Sequence, residues 1–190
     1  MILLLTVPVL LVLIPVFCYF YQRTSPEDRE RRRVREGVAL FEQNNLDDAF
    51  TFFDHQIRSG KKSAVTYLYR GLCQSANGNL HSALYDLTTA LSYDNSLVEA
   101  YFERGKIYLG RREADRAIRE FERAQFYSKN TRADVFRYRG ISLIRKGQYF
   151  QAARYLNKAV ELGDEEANFH LMAPPFHNSF GFSKDTYETF

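Results

Sequence analysis

Tryptophan is absent and cysteine nearly so, with only Cys18 and Cys73 in 190 residues. One of the two lies in an apolar run, so they do not make a disulfide framework. No Asn-x-Ser/Thr sequon occurs. Both absences fit a reducing, unglycosylated compartment. Charge of one sign is also lacking: 26 Lys and Arg against 23 Asp and Glu leave a net +3, too little by itself to argue for nucleic acid. No convergent catalytic set is present. His55, His81, His170 and His177 form neither a His-Glu-x-x-His pair nor a Cys/His metal spacing. Ser59-Gly60-Lys61-Lys62-Ser63 lacks the upstream glycine and preceding strand of a phosphate loop, and reads as a linker. There is no Gly-x-Ser-x-Gly. With no acid, base or nucleophile set, the expectation is no enzyme, no cofactor, no metal and no small-molecule substrate.

What is present begins with an uncharged run, Met1 to Tyr21. As a helix it spans about 31 Å, the thickness of a bilayer's hydrocarbon core. Pro8 and Pro15 are tolerated in membrane helices, and Tyr19 and Tyr21 fall where an aromatic belt sits. A cleaved signal peptide is the alternative, but the run has no positive start and no small-x-small cleavage site. Arg23, Arg29, Arg31, Arg32, Arg33 and Arg35 follow. The positive-inside rule therefore puts the N-terminus outside and the rest on the cytoplasmic, stromal or matrix side. Interleaved Glu27, Asp28, Glu30 and Glu36 suit a solvated helix with i,i+4 ion pairs, or else the arginines meet anionic headgroups.

Beyond this, the chain repeats. Gly37, Gly71 and Gly105 are 34 residues apart, and Gly140 follows 35 later. Ala49, Ala83, Ala117 and Ala152 keep the interval, as do Phe53, Leu87, Phe121 and Leu156. Ala90, Ala124 and Ala159 continue the frame. Four copies in one frame define stacked supersecondary units, each a helical hairpin unable to bury its apolar face alone. Small residues mark close helix approach, and the large ones fill the space beside them. Turns fall at Gln43-Asn44-Asn45, Asn77-Gly78-Asn79, Gly110-Arg111-Arg112 and Lys146-Gly147-Gln148. Asp94-Asn95-Ser96 and Asn130-Thr131 read as breaks and N-caps between copies. The first copy is atypical, with Arg33 and Gln56 where later copies carry an aromatic and Ala, as expected of a terminal repeat. Glu165 to Leu171 starts a capping helix that Pro174-Pro175 stops.

From about Glu30 to Asp164 the chain resembles the tetratricopeptide repeat (TPR) family. The resemblance rests on Tyr67, Arg70-Gly71, Ala83 and Ala90; on Tyr101, Arg104-Gly105, Tyr108, Ala117, Phe121 and Ala124; and on Phe136, Arg139-Gly140, Gly147, Ala152, Leu156 and Ala159. The family's proline near each repeat end is absent. The expected fold is all-α: a transmembrane helix (1–21), a basic juxtamembrane linker (22–29) and an α-solenoid of four hairpins at about 30–63, 64–97, 98–132 and 133–166. A cap (167–173) closes the repeat domain, 30–173, and an aromatic tail (174–190) follows. The tail carries Phe176, Phe180, Phe182, Tyr187 and Phe190. It reads as a loose end, a segment docking on the chain's own groove, or a ligand for a neighbouring subunit.

The resemblance implies a superhelix whose first helices line a groove for peptides or helices. Its expected partner-binding residues are Phe41, Leu68, Tyr69, Leu72, Glu99, Phe102, Glu103, Lys106, Arg137, Tyr138, Ile141 and Arg145, with Val34, Val38 and Val65 beside them. About half of the apolar ones are expected to pack between hairpins. Relatives that clamp chaperone C-terminal carboxylates use Lys, Asn and Arg. The matching positions here are Leu68, Leu72, Glu103, Asp134 and Tyr138, so that partner is disfavoured. Acidic Glu99, Glu103 and Asp134 also argue against nucleic acid. The expected partners are thus proteins in the groove and a membrane through 1–21. The expected function is a membrane-anchored interaction scaffold assisting assembly or stability of a membrane complex. A permanent accessory subunit and a targeting-peptide receptor are the alternatives.

Overall fold

Between Pro26 and Met172 nine helices follow one another in a computed structural model, with no strand among the described residues. That model describes residues 13–16, 19 and 26–176. They pair as α1 (Pro26–Glu42) with α2 (Leu46–Arg58), α3 (Ala64–Ala76) with α4 (Leu80–Tyr93), α5 (Val98–Gly110) with α6 (Ala114–Tyr127), and α7 (Ala133–Arg145) with α8 (Tyr149–Glu161); α9 (Glu165–Met172) closes the row. The expected membrane helix lies outside the described residues except for 13–16 and 19, which are helical and exposed. Among the described residues, no helix is long and apolar enough to cross a membrane.

The 34-residue frame becomes a contact rule. Each repeat glycine faces the large residue 16 positions later. A Cβ on Gly105 would stand 2.5 Å from the Phe121 ring, and one on Gly140 would stand 2.8 Å from Leu156 Cγ. Gly37 meets Phe53 and its neighbour Phe52 in the same way, whereas Gly71 faces Leu87 more loosely, at 3.1 Å. Only a residue without a side chain lets the two helices of a hairpin approach this closely. Ala49, Ala83, Ala90, Ala117, Ala124, Ala152 and Ala159 are all fully buried at the remaining crossings. Gln56, at the frame position of an alanine, is buried with its Oε1 unpartnered.

The turns also share one geometry. Asn44, Gly78, Arg112 and Gly147 stand at equivalent positions with left-handed φ of 59°, 77°, 63° and 77°. In the third hairpin the expected turn, Gly110-Arg111-Arg112, holds at its last two residues. Gly110 instead ends α5, and Arg112 takes the left-handed place that Asn or Gly holds elsewhere.

Element ends differ from expectation at several points. α1 starts at Pro26, inside the stretch expected as a linker, proline being a favoured first helical residue. Asp94-Asn95-Ser96 and Asn130-Thr131 break the helices as expected but do not N-cap the next ones: the N-cap residues are Leu97 and Arg132, and Asp94 is the C-cap of α4. Asp94 Oδ1 is occupied by the N–H and hydroxyl of Ser96, at 2.9 and 2.7 Å. The cap helix begins at Glu165, where the sequence places it, although the expected cap range starts at 167; the Asp164 side chain caps it by accepting from Ala167 N–H. Phe176, counted in the tail, is buried against the fourth hairpin with Tyr149 edge-on at 6.4 Å; residues 177–190 of the tail lie outside the described residues.

The linker Ser59–Ser63 ends in a reciprocal cap. Thr66 N–H donates to Ser63 Oγ at 3.3 Å, and Ser63 N–H donates to Thr66 Oγ1 at 2.9 Å. Ser63→Ala removes one bond of this box and is expected to lower stability by about 1 kcal/mol. Urea denaturation followed by circular dichroism checks it.

Cys73 is fully buried against Val34, Ala49 and Phe53, and burial pushes its thiol up to about 11. The nucleophilic thiolate is therefore suppressed. In a Cys18→Ser background, Cys73 is expected to resist thiol reagents at pH 8 until the chain unfolds, as read by labelling with and without denaturant.

Candidate partner-binding face

The first helices of the hairpins, α1, α3, α5 and α7, form one row, and α9 extends it. The apolar part comes first in the chain. Phe41 meets Tyr69 edge-on at 5.4 Å, and Tyr69 stacks on Phe53 at 5.3 Å. Both Phe41 and Tyr69 are half-buried. Burial, with the nearby Glu42 and Glu99 carboxylates, raises the Tyr69 phenol above its ordinary value, so the ring presents a neutral hydroxyl.

The second part combines rings with charge. Phe102 packs edge-on to Tyr138 at 5.2 Å, and both lie against Phe121 at 5.8 Å. The Arg132 guanidinium sits 4.7 Å above the Phe102 ring and pairs with Glu99 and Asp134. Those carboxylates hold Arg132 more firmly protonated than an ordinary guanidinium. Glu103 accepts from the Ser75 hydroxyl at 2.7 Å and pairs with Lys106 at 2.6 Å. Arg137 reaches Asp164 and Glu166, both at 2.7 Å, tying the cap to the fourth hairpin. Charges on this face thus bridge successive hairpins.

Of the twelve expected residues, Leu68, Leu72 and Phe102 are buried and act as packing. Phe41, Tyr69, Glu99, Glu103, Lys106, Arg137, Tyr138 and Ile141 are half-buried along the row, and Arg145 is exposed. Sequence reasoning missed Arg132, Asp164 and Ser75, which hold the charged members in place. Only a stacked arrangement reveals them, because Arg132 and Glu99 are 33 positions apart.

A second set of arginines stands one residue before the repeat glycines. Arg70 donates to Asp86 through Nε and Nη2 and to Asp54 through Nη1, each at 2.8 Å. Arg139 binds Glu122 and Gln125 at 2.6 Å and lies 4.1 Å over the Tyr155 ring. Arg104 makes one bond, to Glu120 at 3.0 Å, leaving Arg104 Nε and Glu120 Oε2 unpartnered. Burial pushes the Glu120 carboxyl above its ordinary value against the pull of Arg104. In Arg104→Ala that pull is gone, and the folded state holds the Glu120 proton more readily than the unfolded chain does. Stability lost at neutral pH is then regained as pH falls through the raised folded value toward the ordinary 4.5. Thermal melts at pH 7 and pH 5 are expected to show the smaller deficit at pH 5.

These features define a solenoid of antiparallel helix hairpins, stacked side by side with a continuous first-helix face. No family model matches the chain. Its fold is that of tetratricopeptide repeat proteins. A crystal structure of MamA superposes with TM-score 0.64 at 20% identity, covering 79% of this chain and 87% of that one. YrrB, described as a TPR protein with an unusual peptide-binding site, superposes with TM-score 0.62 at 21% identity, covering 70% and 69%. In sequence, DnaJ homolog subfamily C member 7 of Mus musculus is 24% identical over 97 residues, 49% of this chain. The chain spans 20% of the length of that relative.

Proposed function

We propose that the protein is a membrane-anchored scaffold that holds a protein partner along its first-helix face, and that it assists assembly or stability of a membrane complex. The observation carrying this reading is the row of half-buried rings, Phe41, Tyr69 and Tyr138, fixed beside ion pairs that span hairpins. Rigid rings supply contact area at low entropy cost, and neighbouring charges set register for an extended or helical segment. YrrB's peptide-binding site supports the use of such a fold for peptide capture. The uncharged run 1–21 and the arginines after it support a single-pass anchor, with the N-terminus outside and the hairpins on the cytoplasmic, stromal or matrix side.

Photocrosslinking from a benzophenone side chain at Tyr69 or Tyr138 tests the reading; Phe102 is too buried to report. A discrete cross-linked protein in the membrane fraction, found with immature complexes, is expected. A partner found only in the mature complex at fixed stoichiometry would make the chain a permanent subunit. No cross-link from either position, or a full-length chain that leaves the membrane on washing, would overturn it.

A further inference from the structure

The opposite face, built from the second helices, changes character along the solenoid. Two positions in the repeat frame, two and six residues after the conserved alanine, are Thr51 and His55 in α2 and Tyr85 and Thr89 in α4. They become Arg119 and Arg123 in α6, and Arg154 and Lys158 in α8. All four cations are exposed. Arg119, Arg123 and Arg154 have no carboxylate within ion-pair distance among the described residues, while Lys158 pairs with Glu161. The neighbouring carboxylates are engaged: Glu122 with Arg139 at 2.6 Å and Asp115 with Lys146 at 2.6 Å. Two rings without polar atoms flank the cations, Phe126 at 74% exposure and Phe150 at 49%.

The patch is continuous. Arg119, Arg123 and Phe126 line one cleft with Glu122. Phe150, Arg154 and Lys158 line another with Tyr155. Arg139 joins the two, bound to Glu122 and stacked on Tyr155.

We propose that this second-helix face of the third and fourth hairpins docks on an anionic lipid bilayer, with the arginines on headgroup phosphates and carboxylates and Phe126 and Phe150 entering the interface. A merely solvated charged face has no use for two exposed phenylalanines. An acidic peptide would satisfy the guanidiniums but leave the rings uncovered, whereas a bilayer surface offers anionic groups above and acyl-chain roots beneath. The inference does not depend on the anchor, since it concerns a face formed by residues 115–158.

The chain has no tryptophan, so full-length Phe126→Trp carries a single tryptophan, on this face, excited at a wavelength where tyrosine does not absorb. It is reconstituted into nanodiscs of phosphatidylcholine, or of phosphatidylcholine with about a third phosphatidylserine. The expected result is a blue-shifted emission and quenching by brominated acyl chains in the serine-lipid discs alone. Replacing Arg119, Arg123 and Arg154 with Gln should lower the docked-to-free ratio by about a hundredfold. High salt should reverse the shift in the unreplaced Phe126→Trp chain, which keeps the test valid if the triple variant unfolds. Identical spectra in both discs would overturn the proposal. So would a response to soluble poly-L-glutamate without one to serine lipid, which would assign the face to an acidic protein. A chain retained by neutral discs that shows no serine-lipid shift fails here without touching the anchor.

Discussion

Phe121→Ala is expected to lower stability by about 3–5 kcal/mol. The ring is fully buried and lies opposite Gly105, where no side chain exists to move into the space it leaves. Phe102 and Tyr138, both 5.8 Å away, hold it from the third and fourth hairpins at once. The cavity therefore opens at a junction between hairpins. A domain of this kind has about 5–15 kcal/mol in total, so the loss is a large fraction of it. Because each hairpin contacts only its neighbours, the variant should also unfold less cooperatively, with a lower urea m value. Phe102 and Tyr138 rest on this ring, so cross-linking from Tyr138 should weaken in parallel. A loss under about 1 kcal/mol, with unchanged m, would show that the site collapses freely and that the ring does not couple the hairpins.

The same junction shows what was readable in the chain. Gly105, Ala117 and Phe121 recur at 34 or 35 residues because each hairpin solves the same packing problem, so the frame alone locates the crossing. Hairpin count, turns and buried alanines follow from it. The charged contacts do not. Arg132 sits in a break between copies and has no counterpart in the repeat pattern, yet it orders Glu99 and Asp134 around Phe102. Leu68 and Leu72 were expected in the groove but are buried, because the row of first helices packs edge to edge and uses them as mortar. Periodicity reports which face a residue occupies; how much of that face the next hairpin covers depends on stacking distance, which no single repeat encodes.

Arg70→Ala should cost a comparable amount, about 3–5 kcal/mol, for an electrostatic reason. The Asp86 side chain is 1% exposed and both its oxygens accept from Arg70, while Asp54 accepts from the third guanidinium nitrogen, Nη1. Removing the guanidinium strands a carboxylate that is shielded from water in the intact chain. Arg70 also spans elements, joining α2 of the first hairpin to α3 and α4 of the second, so its loss should free the first hairpin to melt early. The double variant Arg70→Ala with Asp86→Ala removes the stranded charge, and it should be markedly more stable than the sum of the two single losses predicts. Additive losses in urea denaturation would mean that water reaches Asp86 and that the pair contributes little. The comparison with Arg104→Ala sharpens the point. Glu120 is already drawn toward its protonated form by burial, so it can shed its charge when its partner goes. The deficit of Arg104→Ala should therefore be smaller than that of Arg70→Ala at neutral pH and shrink further on acidification. One position in the repeat thus carries two pairs of unequal strength, set by how completely each guanidinium is occupied.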